Sequence, residues 1–428
     1  MPSISDTEWS RLQQAVDELT ALNQIATAIN VAMSVEEVTR ITVELCLKRL
    51  EASQGAVFLL ESDAAKTDKF KTFVRSINPD AGEMPFSLNM TLLGWMLKNK
   101  SMLVSNDPAA DSRLRGVPFA RIGVRSLIAA PLLSLNGLLG VLVAFNKRDE
   151  SGFNDSDAQF LAIVGAQTAK IIENVKLFEK EQVLKVIQKE IQVAKEIQQG
   201  FLPKENLDHE DCRVVGINSA AREVGGDFYD LLRLKDGRIF VSIGDVAGKG
   251  IPAALIMSNA QAVVRAQLLG QDPPPLPELV GSLNRLICQL TSPGQYITAV
   301  FGFYDRQSQL FSFVNAGHLP VLVLRADGRQ DSYPESDPVV GVLPDIPYSV
   351  HQVPVSPGDT LFFYTDGITE CWSPTQEMFG YDRMVEALAT CHHQPVDTII
   401  PAMLESLKQY RASAEQSDDI TMLVLQPR

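Results

Sequence analysis

Apolar residues in the first part of the chain recur first at helical and then at strand-like spacing. Helical periodicity runs through SVEEVTRITVELCLKRL (34–50) and DSDAQFLAIVGAQTAKIIENV (155–175). Between them lie four shorter apolar runs of strand character, GAVFLLES (55–62), MLVSN (102–106), SLIAAPLL (126–133) and GLLGVLVAFNK (137–147). The last two, joined across Ser134, Leu135 and Asn136, predict a hairpin. From Ile171 to Phe201 there is no proline and one glycine, Gly200, while Val183, Ile187, Ile191, Ala194, Ile197 and Phe201 form a single helical stripe. Lys, Glu and Gln cover the other faces, so the stripe suits a coiled coil or a helix laid along a partner, the alternative being a helix packed on its own domain. Pro203 ends this run. Beyond about Asn206, strand patterns at 214–219, 238–243, 298–304, 310–315, 321–324, 360–364 and 421–425 are interrupted by helical ones at 252–269, 275–290, 380–391 and 396–411. Two groups of strands with helices outside predict an α+β sandwich.

Length and composition agree with several globular units: 428 residues, 45% hydrophobic and 21% charged. A formal charge of −14 argues against a nucleic-acid surface or a generic binder of anionic membranes, and favours a protein or phosphoprotein partner. The opening MPSISDTEWSRLQQ has neither a cationic n-region nor an apolar h-region, so a cytoplasmic location is expected. The apolar run from Leu138 to Phe145 is far short of the roughly 20 residues a membrane-spanning helix needs. Cys46, Cys212, Cys288, Cys371 and Cys391 contain no C-x-x-C pair, which supports neither a disulfide framework nor a zinc ribbon.

Chemistry concentrates in five segments of the second half: GGDFYD (225–230), GDVAGKG (244–250), NAGH (315–318), YTDG (364–367) and SDDIT (417–421). Asp227 follows two glycines, Asp245 comes just after the strand pattern at 238–243, Asp366 ends the run at 361–364, and Asp418 and Asp419 precede the last strand. One Asp-Gly after a strand is ordinarily a turn, but four such carboxylates at converging strand ends make an oxygen-only site for magnesium or manganese. The histidines form no ligand pattern, and consecutive His392 and His393 fall at a helix end. The glycine-rich turn before the helix at 252 is an anion-binding setting but does not fit a Walker loop.

Residues 20–175, with their helix-strands-helix order and SLIAAPL…GLLGVLVAFNK hairpin, resemble a GAF domain. NKRDESGFNDSDA (146–158) is similar to the N-K…F-x-x-x-D-E signature of cyclic-nucleotide-binding GAF domains, with Ala158 in place of the final Glu. The plainer reading is a strand-end cap that starts the last helix, with Asp155 or Ser156 as N-cap. Residues 195–428 resemble the PPM class of metal-dependent serine/threonine phosphatases, in the branch that runs bacterial stress-response and sporulation partner switches. The resemblance is carried by EIQQGFLP (196–203), REVGGDFYD (222–230), GDVAGKGIPAAL (244–255), FVNAGHLP (313–320), LFFYTDGITE (361–370) and SDDITMLVL (417–425).

These resemblances imply a helical lead (1–19), a GAF sensory or dimerisation domain (20–175) with an unidentified small-molecule ligand, a helical coiled-coil linker (176–204) and a PPM α-β-β-α sandwich (205–428). They also imply two Mn2+ or Mg2+ ions held by Asp227, Asp245, the Val246 carbonyl, Asp366 and Asp418, with Asp419 orienting the turn. Phosphoester hydrolysis by metal-activated water then needs no protein nucleophile. Arg222 and Lys249 are candidate phosphate contacts, although a lysine at a helix start is equally placed for solvent, and His318 is read as holding a loop rather than moving a proton. Where animal and plant relatives carry Asp-Gly-His-Gly-Gly, this chain has Asp245-Val-Ala-Gly-Lys249, so the general acid is unassigned. The implied substrate is a phosphorylated STAS-fold anti-sigma-factor antagonist, acted on by a homodimer that binds neither nucleic acid nor membrane. A catalytically silent scaffold is the competing expectation.

Overall fold

The computed structural model describes residues 34–428 except 61–69, 78–85, 118, 120–122, 136, 271, 335 and 392–393. The expected helical lead, the start of the GAF domain, and His392 and His393 lie outside the described residues. The chain divides into two compact units, Met1–Val186 and Ile187–Arg428.

In the first unit, helix α1 (Val35–Leu50) starts at Ser34, whose Oγ accepts a hydrogen bond from the Glu37 amide, with Glu36 and Glu37 favoured by the positive end of the helix dipole. Strands β1 (Ala52–Leu60), β2 (Phe70–Ile77), β3 (Leu103–Ser105), β4 (Leu127–Ser134) and β5 (Gly137–Lys147) form an antiparallel sheet in the order β2-β1-β5-β4-β3. One face buries Ile128 and Leu142 against Val43, Cys46 and Leu50 of α1 and Phe160, Leu161 and Ile172 of the next long helix. The other face packs Phe58, Leu127, Val141 and Phe145 against Leu92, Leu93 and Met96 of α2 (Phe86–Asn99). The expected hairpin is β4–β5, whereas β2 and α2 escaped the sequence pattern; FKTFVRSI breaks its apolar run with Lys, Thr and Arg.

Helix α3 (Asp155–Gln199) is continuous over 45 residues and takes in both helical runs expected from the sequence. Its cap is Asn154, one residue before Asp155 and two before Ser156, the caps expected from the sequence. The Asp157 amide donates to Asn154 Oδ1 and the Asn154 amide to Asp157 Oδ2, each at 3.0 Å, a reciprocal box that neither alternative could close. Asp157 also pairs with Lys147 of the N-K segment. Along α3, Val183, Ile187 and Ile197 are exposed.

The second unit has two antiparallel sheets. Strands β8 (Phe228–Arg233), β9 (Ile239–Val246), β10 (Ile297–Asp305), β11 (Leu310–Ala316) and β14 (His351–Pro354) form one, in the order β14-β11-β10-β9-β8. The other, ordered β13-β12-β15-β16-β7-β6, comprises β6 (Leu207–Asp208), β7 (Cys212–Ser219), β12 (Val321–Leu324), β13 (Gln330–Tyr333), β15 (Thr360–Tyr364) and β16 (Ile420–Pro427). Facing side chains such as Tyr229, Val241, Val300, Leu361, Phe363 and Leu423 fill the space between the sheets. Helices α4 (Ile251–Leu268) and α5 (Leu276–Leu290) cover the outer face of the first sheet through Met257, Val264, Leu279 and Leu283. A one-turn helix, α6 (Asp366–Thr369), follows β15, and α7 (Gly380–Cys391) and α8 (Val396–Arg411) cover the second sheet through Met384, Leu388, Ile399 and Met403. This is the expected α-β-β-α sandwich. The expected strands and helices of this unit are present; β6, β8, β13 and β14 were not expected, and β8 escaped because FYDLLR carries Asp230, 1% exposed, inside an apolar strand. Arg265 of α4 reaches Asp230 with two bonds of 2.7 Å, which makes that burial tolerable.

Candidate active site

All five chemical segments sit at neighbouring ends of the two sheets, and the residues around Asp419 explain how the first and the last fit together. Asp419 accepts hydrogen bonds from the amides of Ala221 (2.8 Å) and Gly226 (2.9 Å), tying the last motif to the first. A Cβ at Gly225 would stand 2.0 Å from Asp419 Oδ2, and one at Gly367 would stand 1.9 Å from the Asp419 carbonyl oxygen. Only glycine fits at either place, which is the physical reason for GGD and DG in this chain.

Asp227 is 3% exposed at the entry to β8. Its Oδ2 accepts from Thr365 Oγ1 and Thr421 Oγ1, both at 2.7 Å, and Asn218 Nδ2 donates to Thr421 Oγ1 and to the Asp227 carbonyl. One carboxylate oxygen is thereby fixed from the opposite sheet. The sequence reading missed these threonines although both belong to the quoted motifs; a threonine one residue before Asp366 and another two after Asp419 were the available signal. It also missed Gln198, at the end of α3, whose side-chain amide donates to the Gly225 carbonyl (2.6 Å) and accepts from the Gly225 amide (3.2 Å).

Asp245 lies on β9 rather than beyond it, because Thr298 and Ile297 extend the pairing to Asp245 and Val246. Asp245 and Asp366 line a cavity of about 300 Å³ together with Ala247, Tyr296, Thr298, Gly317, His318 and Leu319. Asp366 opens α6. Asp418 does not line that cavity: its Oδ2 is held by Lys249 Nζ at 2.7 Å, and the same ammonium donates to the Ser417 carbonyl at 3.1 Å. Arg222 is exposed and near enough to oppose the charge of Lys249.

Burial, and then the charge of Asp245, push the Asp227 carboxyl well above the usual carboxylate range, against the pull of its two threonines. Asp245 is also raised, first by burial and then by Asp418 and Asp419. The Asp366 carboxyl is pushed up to about 6 by burial, followed by Asp245, Glu370 and Asp418. A group of acids whose ionisation burial and mutual repulsion oppose is short of positive charge, and all-oxygen donors suit a hard cation. Among the described residues no three His, Cys, Asp or Glu side chains close around one point. Magnesium and manganese retain waters and accept backbone carbonyls, so an open carboxylate set of this kind fits them better than a closed cage.

His318 is 4% exposed and fully engaged. Its Nε2 lies 3.1 Å from the Tyr364 carbonyl oxygen, which can only accept, so the ring proton is on Nε2 and Nδ1 accepts from Thr298 Oγ1 at 2.9 Å. Burial lowers the imidazole pKa to about 4. The ring is therefore a neutral brace between β10, the NAGH turn and the end of β15. Burial raises all five cysteine thiols, Cys46 and Cys212 to about 12, which leaves no thiolate nucleophile.

Comparison with known proteins follows the same division. Residues 235–428 match the family model of Stage II sporulation protein E (SpoIIE), and residues 32–173 match that of the GAF domain. Protein IcfG of Synechocystis sp. is 26% identical over 69% of this chain and 51% of its own length. Phosphoserine phosphatase RsbU of Bacillus subtilis is 27% identical over 58% of this chain and 74% of its own. The chain thus spans about half the length of the first of these relatives. The SiaA-PP2C domain of Pseudomonas aeruginosa superposes with a TM-score of 0.51 at 22% identity, covering 57% of this chain and 98% of that domain, which supports the fold.

Proposed function

Because the chain joins a GAF domain to a SpoIIE-type domain of the PPM phosphatases, we propose that it is a signal-regulated, metal-dependent protein serine/threonine phosphatase. The observation that carries this reading is the set of acidic groups drawn from four separate motifs to one end of the sandwich, with Asp227 braced by Thr365 and Thr421. Asp227, Asp245, the Val246 carbonyl, Asp366 and Asp418 are the ligands we assign. Two Mn2+ or Mg2+ ions bound there would supply Lewis acidity and a water nucleophile at neutral pH.

Each protein group then has a limited task. Asp419 holds the first motif against the last, His318 fixes the wall of the cavity as a neutral ring, and hydrolysis is assigned to water. Arg222, exposed and close enough to oppose the charge of Lys249, is the phosphate contact we assign, and Lys249 joins it once its ammonium leaves Asp418. The substrate we assign is a serine-phosphorylated STAS-fold anti-sigma-factor antagonist or a similar phosphoprotein. RsbU, a relative by sequence, is a phosphoserine phosphatase, and the charge of −14 suits a protein partner better than a nucleic acid.

Regulation is assigned to the GAF domain acting through α3 in a cytoplasmic homodimer. Support comes from the continuity of α3, its exposed Val183, Ile187 and Ile197, and the Gln198 amide on Gly225. No helix among the described residues is long and apolar enough to cross a membrane. The assignment of an enzyme rather than a silent scaffold is tested with a chromogenic phosphate ester and Mn2+. The full chain is expected to turn the ester over, and Asp227→Asn and Asp366→Asn to lose that turnover while keeping their circular dichroism. Equal rates with and without metal, or in both variants, would sink the site.

A further inference from the structure

The observed place of Lys249 disagrees with a simple phosphate-contact role. Its ammonium is bonded to Asp418 and to the Ser417 carbonyl, and so points at a carboxylate assigned above as a metal ligand. The pair is half-open to solvent, with side-chain exposures of 47% for Lys249 and 30% for Asp418. It can therefore be broken without burying a lone charge. Gly248 and Gly250 flank the lysine, both at positive φ (110° and 76°), so the turn that carries it depends on backbone conformations that side-chain-bearing residues rarely adopt. Asp418, so held, stands off the cavity lined by Asp245 and Asp366, and among the described residues no three acidic groups close on one point.

From this geometry we propose that Lys249 is a tethered cation that competes with the divalent ion for Asp418, and that it turns to the substrate phosphate only after the ion has displaced it. The inference rests on the assignment of Asp418 as a ligand. Lys249 stands in for positive charge in the acidic cluster, so metal loading and phosphate recognition are coupled in order. A metal-free site keeps its lysine occupied and binds phosphate poorly, whereas a loaded site frees the ammonium beside Arg222. No covalent bond of the protein is made or broken in this exchange. One ion pair is traded for a coordination bond, and the ammonium stays charged throughout.

The test is equilibrium Mn2+ binding to the full chain, with free Mn2+ counted from its hexaaqua electron paramagnetic resonance signal, for wild type, Lys249→Met, Lys249→Arg and Asp418→Asn. Lys249→Met is expected to bind Mn2+ about two- to fivefold more tightly, since an exposed pair is worth up to about 1 kcal/mol. Lys249→Arg, which keeps the charge, should stay within about twofold of wild type. With saturating Mn2+, inorganic phosphate should bind Lys249→Met several-fold more weakly than wild type. Without Mn2+ the two should bind it equally. Unchanged or weaker Mn2+ binding by Lys249→Met, with binding lost in Asp418→Asn, overturns the competition while leaving the ligand assignment standing. Mn2+ binding unaffected in Asp418→Asn overturns the ligand assignment itself.

Discussion

Asp227 shows how this chain makes a carboxylate usable where burial opposes its charge. Thr365 and Thr421 each donate to the same oxygen at 2.7 Å, and Thr421 receives a further bond from Asn218, so one side of the carboxylate is spent on orientation. Hydroxyl donors orient it without adding charge, which leaves the local field negative for a cation. His318 plays the complementary part as a neutral brace, and that predicts a pH signature. Its folded pKa of about 4 lies below the ordinary 6.5, so the unfolded chain binds the extra proton between those values. The stabilisation is complete above pH 6.5 and is lost as pH falls toward 4, on the order of 3 kcal/mol in total. Denaturant unfolding of wild type and His318→Gln at pH 7 and pH 4.5 measures it. The wild type should lose more stability than the variant over that interval, and parallel losses would show that the ring is not the buried neutral group described here.

Among the elements, the end of α3 is the one with most influence on the site. Gln198 satisfies both the carbonyl and the amide of Gly225, the residue that packs against Asp419. Gln198→Ala leaves two buried backbone groups without partners, at about 1–3 kcal/mol each. It should lower the thermal midpoint of the second unit by several degrees and weaken Mn2+ binding. A full retention of Mn2+ affinity in that variant would mean that α3 does not support the first motif. The elements also show what the sequence made legible. Apolar periodicity revealed β9, which carries Asp245, β15, which leads to Asp366, and the four helices outside the sandwich, because these bury apolar faces. It failed at β8, where Asp230 needs Arg265 from a distant helix, and at Asn154, whose cap depends on a reciprocal bond to Asp157. Pairings between distant residues leave no local periodic trace.

At the scale of the molecule, the two domain families were legible because their motifs are local strings, and the matched ranges 32–173 and 235–428 fall within the expected domains. The way Lys249 engages Asp418 was not legible, since 168 residues of chain separate Lys249 from its second partner, Ser417. The same holds for Gln198, whose motif EIQQGFLP gives no hint of a bond to Gly225. What unifies the second unit is an acidic centre that two sheets and four motifs converge to build and that the protein alone leaves short of positive charge. The direct measurement is phosphate release from a serine-phosphorylated STAS-fold protein, followed as Mn2+ is titrated into the full chain and into Asp245→Asn. Saturable release that a chelator abolishes, reduced by at least about a hundredfold in Asp245→Asn, is the expected result. Release that ignores the metal, or that survives in Asp245→Asn, would contradict it.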